Sequence, residues 1–108
     1  MLRGEVWWVE FDPSVGSETS KTRPAVIVSN DAANRNLERV VVVPVTSSTK
    51  RLYPGEAMIT VRGEKRKAMA DQIMAADKMR LKSQLDELAR ADMLAIEDAI
   101  KVHLALPR

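Results

Sequence analysis

Two polar segments of this chain combine hydroxyls with cations, a combination suited to phosphate chemistry. Arg23 closes the first segment, residues 16–23, and Thr46 opens the second, residues 46–54. An arginine presents a planar fork of N–H donors that matches a phosphate group, and it stays protonated. Arg23 could therefore stabilise negative charge that builds on phosphate oxygens in a transition state, and Thr46 could donate a hydrogen bond to the same group.

The first segment also offers Ser17 as a second hydroxyl donor and Glu18 as a carboxylate that could accept a proton. These groups would suffice for the cleavage of RNA, because that substrate carries its own nucleophile, the 2′-hydroxyl. The chemistry would then require no metal ion or cofactor. From the residues alone, structural roles remain open: Arg23 and Pro24 could simply begin a strand, and Thr46 could cap a strand end.

The residue inventory excludes several other catalytic classes. The chain has no cysteine and one histidine, His103, so thiol chemistry and a pair of histidines acting as acid and base are excluded. The sequence also lacks the glycine patterns that cradle nucleotide phosphates and a tight carboxylate cluster for a metal. His103 lies far in sequence from both polar segments, and its simpler interpretation is a helix C-terminal residue favoured by the helix dipole.

The charge is mildly basic and unevenly distributed. Residues 1–70 carry 11 Lys/Arg and 8 Asp/Glu, whereas residues 71–108 carry 6 and 7. The basic excess lies at 50–51 and 62–67, which fits an anionic partner as well as an ordinary solvated surface. The length and the 45% hydrophobic content predict a single domain over 1–108. Without cysteine or an apolar stretch long enough for a leader or membrane span, the sequence is typical of a cytoplasmic protein.

Short strands are predicted to carry the polar segments. Alternating or continuous apolar runs predict strands at residues 4–11, 25–29, 39–45, 56–62, 67–75 and 84–88, with helical turns at 32–36 and 77–81. If the second and third strands are neighbours, Arg23 and Thr46 emerge at the same rim. Pro44 indicates an edge or a bulge in the third strand, because proline cannot donate to a ladder.

The last quarter of the chain completes the expected fold. Asp92 is predicted to cap a C-terminal helix whose apolar residues recur at helical spacing. Asp71 falls between Met69 and Ile73 on the predicted inward face of the fifth strand, so it is expected to be hydrogen-bonded or to lie at a site. The order of elements is not an alternating βαβ pattern. We therefore predict an α+β, mainly β fold: a small antiparallel, partly open barrel with a C-terminal helix.

A resemblance to a known family rests on short segments distributed over nearly the whole chain. They lie at residues 3–9, 11–13, 16–18, 23–31, 43–47, 53–54, 70–73, 77–78 and 80–81, followed by the terminal helix. In their order and spacing these segments resemble the MazF/PemK family of toxin endoribonucleases. The resemblance implies an SH3-like or CcdB-like barrel that forms a symmetric homodimer. It also implies a cognate MazE-like antitoxin whose C-terminal segment occupies the RNA groove.

The activity that the resemblance implies is sequence-specific, metal-independent cleavage of single-stranded RNA. The products would be a 2′,3′-cyclic phosphate and a 5′-hydroxyl, and the result would be inhibited translation and growth. By position, the family's catalytic arginine falls on Arg23, its catalytic threonine on Thr46 and its acidic loop residue on Glu18. The residues expected to contact RNA are Ser17, Thr19, Lys21, Thr22, Ser47, Lys50, Arg51, Tyr53 and Gln72.

Two features qualify the comparison. Residues 19–22 replace a glutamine and a glycine-containing stretch found in many members, so the sequence preference for RNA does not transfer. Trp7 and Trp8 are expected in the core or at the dimer interface rather than as platforms for RNA bases. Two other functions stay open: a CcdB-like toxin that poisons a topoisomerase without cleaving RNA, and an RNA-binding barrel without catalytic activity.

Overall fold

The structure is a computed structural model, and it describes residues 1–11 and 21–108. The strands are β1 (Glu5–Phe11), β2 (Lys21–Ile27), β3 (Arg39–Thr46), β4 (Glu56–Val61), β5 (Glu64–Met69), β6 (Met74–Asp77) and β7 (Leu81–Glu87). The helices are α1 (Asp31–Asn36) and α2 (Arg90–His103), and 3₁₀ turns cover Ala70–Gln72 and Lys78–Arg80. Within the described ranges, no helix is long and apolar enough to cross a membrane.

All paired strands run antiparallel, and β3 belongs to two sheets. The strand order is β4-β5-β3-β2-β1-β7, and β6 pairs with the other half of β3. This is the predicted mainly β, partly open barrel with a C-terminal helix, so the fold class is confirmed. Two apolar clusters fill it. Val26, Val43 and Ile96 belong to the first, which includes α2, whereas Val9 and Ile27 belong to the second.

Pro44 lies inside β3 rather than in an edge strand, and the pairing explains how it is tolerated. On one side of β3, β6 pairs with residues up to Val42 and β5 takes over at Val45. Pro44 therefore falls in the gap between two partners, where a ladder hydrogen bond is not interrupted. The irregularity predicted from the sequence is thus a change of partner strand.

The two edges of the barrel, β4 and β7, approach each other without forming a ladder. At the end of β4 the backbone N–H of Arg62 donates to Asp86 Oδ2 at 2.7 Å, and Arg62 Nη1 donates to the carbonyl of Leu85 at 3.3 Å. Hydrogen bonds to one side chain and one carbonyl thus join the edges where a closed barrel would have strand pairing. The barrel stays open between them.

Several sequence-based boundaries were wrong. The predicted strand at 67–75 is two strands, β5 and β6, separated by a 3₁₀ turn, and each pairs with a different part of β3. Asp71 lies in that turn and is exposed, so the expected inward carboxylate is not observed. Helix α2 begins at Arg90 after Ala89, and Asp92 does not cap it. The Asp92 carboxylate instead accepts a hydrogen bond from the backbone of Thr60 at 2.9 Å.

Candidate active site at the open end of the barrel

An opening forms where β2 and β3 separate. Their ladder runs from Ile27 opposite Val42 to Ala25 opposite Pro44 and ends there. Proline cannot donate a ladder hydrogen bond, and Pro24 is the next residue of β2. Beyond this point β2 continues to pair with β1, whereas β3 pairs with β5. Two strands that are neighbours in the middle of the barrel therefore diverge at its end.

Arg23 and Thr46 lie on either side of this opening. Continuing the register of Ala25 with Pro44 by two residues would place Arg23 opposite Thr46, and both residues line one cavity of about 410 Å³. The sequence-based expectation that they emerge at the same rim agrees with this geometry. Arg23 is nevertheless the third residue of β2, not part of the preceding loop, so a strand fixes its backbone.

The Thr46 hydroxyl is oriented by the chain that follows it. Its Oγ1 accepts a hydrogen bond from the backbone N–H of Ser48 at 3.2 Å. This contact gives Thr46 the strand-capping role considered from the sequence. A hydroxyl can accept and donate at once, so the same oxygen can still present its proton to a phosphate in the cavity.

The cavity has an apolar part and a charged part. The apolar part continues the first core, since Val45 and Val61 belong to that cluster and Leu85 packs against it. The rest of the described lining consists of Trp8, Arg23, Pro24, Thr46, Ser47, Arg62, Glu64 and Arg66. Three arginines and one carboxylate among these residues favour an anionic ligand.

Arg51 and Tyr53 belong to a second polar cluster, formed around Lys67. Lys67 Nζ donates to the Arg51 carbonyl at 2.8 Å, lies 3.1 Å from Glu56 Oε1 and stands 5.7 Å from the centre of the Tyr53 ring. Glu56 Oε1 also accepts the backbone N–H of Tyr53 at 2.9 Å. The cluster anchors the loop at 47–55 rather than lining the cavity. It leaves the Tyr53 side chain 53% exposed, so the ring remains accessible for stacking.

The other predicted RNA contacts are distributed around the structure. Lys21 and Thr22 are exposed at the start of β2, and Lys50 is exposed in the loop after β3. Gln72 lies in the 3₁₀ turn after β5, where its Nε2 is 3.5 Å from Met69 Sδ. None of these four residues is among the described lining of the cavity. Ser17, Glu18 and Thr19 lie outside the described residues.

Sequence reasoning missed four residues of the cavity: Trp8, Arg62, Glu64 and Arg66. Trp8 was expected in the core or at the dimer interface; it is 37% exposed and contributes to the lining, so it is not a core residue. The other three belong to a segment noted only for its basic excess. A two-residue turn followed by strand alternation could have placed Glu64 and Arg66 on one face. No local sequence pattern, however, indicates that β4 approaches β7.

One carboxyl group near the cavity, that of Asp86, has a lowered pKa. The backbone N–H groups of Arg62 and Glu87 donate to Asp86, and together with the nearby Arg62 guanidinium they hold its pKa below the usual value. Asp86 therefore stays ionised and keeps the tip of the β4–β5 hairpin against β7. Among the described residues, no group of three or more His, Cys, Asp or Glu side chains could hold a metal ion.

The fold and the site together define a small open barrel whose mouth presents arginines and hydroxyls to an anion. Comparisons with known proteins agree with this class. Residues 2–104 match the family described as the PemK-like, MazF-like toxin of type II toxin-antitoxin system. The chain is 39% identical to Endoribonuclease MazF9 of Mycobacterium tuberculosis, and the alignment covers 98% of each chain.

Solved structures give the same result. An endoribonuclease in complex with its cognate antitoxin, from a mycobacterial species, superimposes with a TM-score of 0.84 at 30% identity over 100% of this chain and 98% of that one. MazF from Deinococcus radiodurans superimposes with a TM-score of 0.86 at 27% identity over 98% and 97% of the two chains. This chain belongs to the PemK-like, MazF-like toxin family.

Proposed function

We propose that Arg23 and Thr46 are the catalytic residues with which this chain cleaves single-stranded RNA. As a member of its family, the chain is an endoribonuclease toxin of a type II toxin–antitoxin system. The observation that supports the site assignment is the shared cavity at the point where β2 and β3 diverge, which contains both residues. Arg23 comes from near the start of β2 and Thr46 is the last residue of β3, so the barrel holds both backbones in place before substrate binds.

The proposed reaction is an internal transesterification. The 2′-hydroxyl loses its proton and its oxygen attacks the adjacent phosphorus, and the bond to the 5′-oxygen of the next nucleotide breaks. The leaving 5′-oxygen takes up a proton from solvent, so that a 2′,3′-cyclic phosphate and a 5′-hydroxyl result. Arg23 stabilises the charge that builds on the non-bridging oxygens, and Thr46 donates a hydrogen bond to the same phosphate. Arg23 cannot accept the 2′-hydroxyl proton because it stays protonated. Glu18 is our candidate for that role.

The reaction as proposed requires no metal ion, because the nucleophile belongs to the substrate and Arg23 supplies the positive charge. We further propose that the chain acts in the cytoplasm as a homodimer of one domain, residues 1–108. Its proposed partners are single-stranded RNA and a MazE-like antitoxin. The family match over residues 2–104 and the antitoxin complex of a similar mycobacterial protein support this assignment.

The test is cleavage of single-stranded RNA in excess chelator, with the ends of the products mapped. We expect cyclic phosphate and 5′-hydroxyl ends, and a rate loss of about 10²–10³-fold for Arg23→Ala, in the range known for removing one stabilising donor. Thr46→Ala should lose activity and Thr46→Ser should retain most of it, because serine keeps the hydroxyl. Arg39→Ala, an exposed arginine of β3 outside the cavity lining, is the matched control.

Three outcomes would contradict the proposal. Cleavage that stops with chelator would mean that a metal takes part. Cleavage that survives both alanine substitutions would move the active site elsewhere. Inhibited DNA supercoiling without RNA products would favour the topoisomerase poison, whereas salt-sensitive RNA binding without products would favour the inactive barrel.

A further inference from the structure

We propose that Arg62 and Arg66, on the β4–β5 hairpin, form a second phosphate-binding subsite in the cavity, for the nucleotide next to the cleaved bond. The inference rests on the proposed function. It adds a binding element that comes from a different sheet than Arg23. The hairpin thus supplies part of the cavity wall, and its strand β5 pairs with β3, the strand that carries Thr46.

The hairpin is built to turn charged side chains toward the cavity. Val61 pairs with Glu64 and Ile59 pairs with Arg66, and directly opposite residues of antiparallel strands share a face. Val61 and Ile59 are buried in the first core. Glu64 and Arg66 therefore lie on the same face of the hairpin as these two core residues. Lys65 lies between them on the opposite face.

The tip of the hairpin is fixed in an uncommon conformation. Arg62 and Gly63 both have positive φ, 52° and 77°, as a two-residue hairpin turn between Val61 and Glu64 requires. Glycine adopts this conformation without penalty, but arginine is disfavoured there. Residues in sparsely populated conformations persist when the surrounding structure holds them, and they cluster at ligand sites.

Hydrogen bonds to β7 supply that support. Arg62 donates its backbone N–H to Asp86 Oδ2 at 2.7 Å and one guanidinium nitrogen to the Leu85 carbonyl at 3.3 Å. A guanidinium has several further N–H donors. The contact with Leu85 therefore orients the Arg62 side chain along the cavity wall and leaves donors for a ligand.

Arg66 is held within its own strand and donates Nη1 to the Lys65 carbonyl at 2.9 Å. It forms an ion pair with Glu64, and the two side chains are 32% and 66% exposed. An exposed ion pair contributes little, at most about 1 kcal/mol. A phosphate can therefore replace Glu64 as the partner of Arg66, since a phosphate offers the same bidentate geometry with more charge. The ion pair keeps Arg66 oriented before RNA arrives.

The cavity is large enough for more than the reacting group. Its volume of about 410 Å³ is within the range of sites that bind small-molecule ligands. With Arg23 at the cleaved phosphate, Arg62 and Arg66 remain for an adjacent one. Trp8 and Pro24 add apolar surface to the lining of the cavity.

The experiment measures RNA affinity and its salt dependence in hairpin variants. The probe is a single-stranded oligonucleotide of the mapped cut-site sequence with 2′-O-methyl groups throughout, which blocks the nucleophile. The variants are Arg62→Asn, because asparagine tolerates positive φ, and Arg66→Gln. Lys65→Gln is the matched control, since it removes the same charge from the same hairpin on the other face.

We expect Arg62→Asn and Arg66→Gln each to weaken binding about 5- to 30-fold and to lower the slope of log affinity against log salt by about 0.7 per lost phosphate contact. With cleavable RNA, KM should rise by a similar factor while kcat changes less than about threefold, because the lost contact acts on binding rather than on the reacting phosphate. Lys65→Gln should change neither quantity. Glu64→Gln should tighten binding.

Some results would overturn the subsite without affecting the proposed function. One is that the unchanged protein cleaves RNA and the Arg62 and Arg66 variants bind and cleave it normally. Another is that Lys65→Gln loses as much RNA affinity as Arg66→Gln. A third is that Glu64→Gln binds RNA more weakly. Failure of the unchanged protein to cleave RNA would instead contradict the proposed function. Circular dichroism of each variant identifies any loss that comes from unfolding.

Discussion

The cavity and the Lys67 cluster use the same kinds of residue to opposite effect. Around Lys67, a cation and a carboxylate with side chains 9% and 8% exposed satisfy each other, and the result is an anchored loop. At the cavity, Arg62 and Arg23 are exposed, and three arginines face a single glutamate among the described lining. Paired charge in the interior fixes structure. Excess charge at an opening can act on a ligand.

The largest expected effect is a difference in the free energy of unfolding between variants of the Lys67 cluster and variants of the cavity. Lys67→Met would leave the Glu56 carboxylate buried without its cation, and removing one partner of a buried pair costs about 3–5 kcal/mol. Arg23→Met should change the free energy of unfolding by less than about 1 kcal/mol, as expected for an exposed side chain, while lowering the cleavage rate about 10²–10³-fold. Urea unfolding followed by circular dichroism measures both.

A double variant sharpens this contrast. Combining Lys67→Met with Glu56→Gln removes both charges and should recover part of the lost stability. Equal destabilisation by Lys67→Met and Arg23→Met would mean that the buried pair is not the stabilising element.

A smaller effect concerns the hydrogen bonds that join the barrel edges. Asp86 has a lowered pKa in the folded state because backbone N–H groups of Arg62 and Glu87 stabilise its charge. A carboxylate of this kind stabilises the fold above its unfolded pKa, about 4, and the contribution is lost as the pH falls through the lower folded value. Asp86→Asn should therefore cost about 1 kcal/mol at neutral pH and reduce the loss of stability below about pH 4.

Thermal unfolding across pH 2–7 tests this expectation. Asp98→Asn is its control, because Asp98 forms an exposed ion pair with Arg108 and should contribute less than about 0.5 kcal/mol. If the stability of Asp86→Asn falls at acid pH as steeply as that of the unchanged protein, the Asp86 carboxylate does not stabilise the contact between the hairpin and β7.

The smallest effect concerns the aromatic part of the Lys67 cluster. Tyr53→Leu removes the ring 5.7 Å from Lys67 Nζ and should cost about 0.5–1 kcal/mol, as cation–π contacts at exposed sites do. If Tyr53 also stacks on a base, Tyr53→Leu weakens RNA binding while Tyr53→Phe does not, since phenylalanine keeps the ring. Fluorescence anisotropy with the 2′-O-methyl oligonucleotide measures the difference.

The parts of the site that could be predicted from the sequence are those whose residues lie on consecutive strands. Arg23 comes just before the second predicted strand and Thr46 just after the third, so local patterns predicted a shared rim once the two strands were taken as neighbours. Glu64 and Arg66 line the cavity because β4 approaches β7 through Asp86, a contact between residues 24 positions apart. Lys67 was predicted to begin a strand after a basic turn, and no local pattern indicated that Glu56 on another strand would pair with it in the interior.

The contact between Lys67 and the loop has a consequence for the RNA contacts proposed at Lys50 and Arg51. Lys67 binds the main-chain oxygen of Arg51, an atom that every amino acid possesses. The anchor is therefore indifferent to the side chains at positions 50–52. Mutation can exchange those side chains, by natural drift or in a directed library, while the scaffold under them keeps its shape.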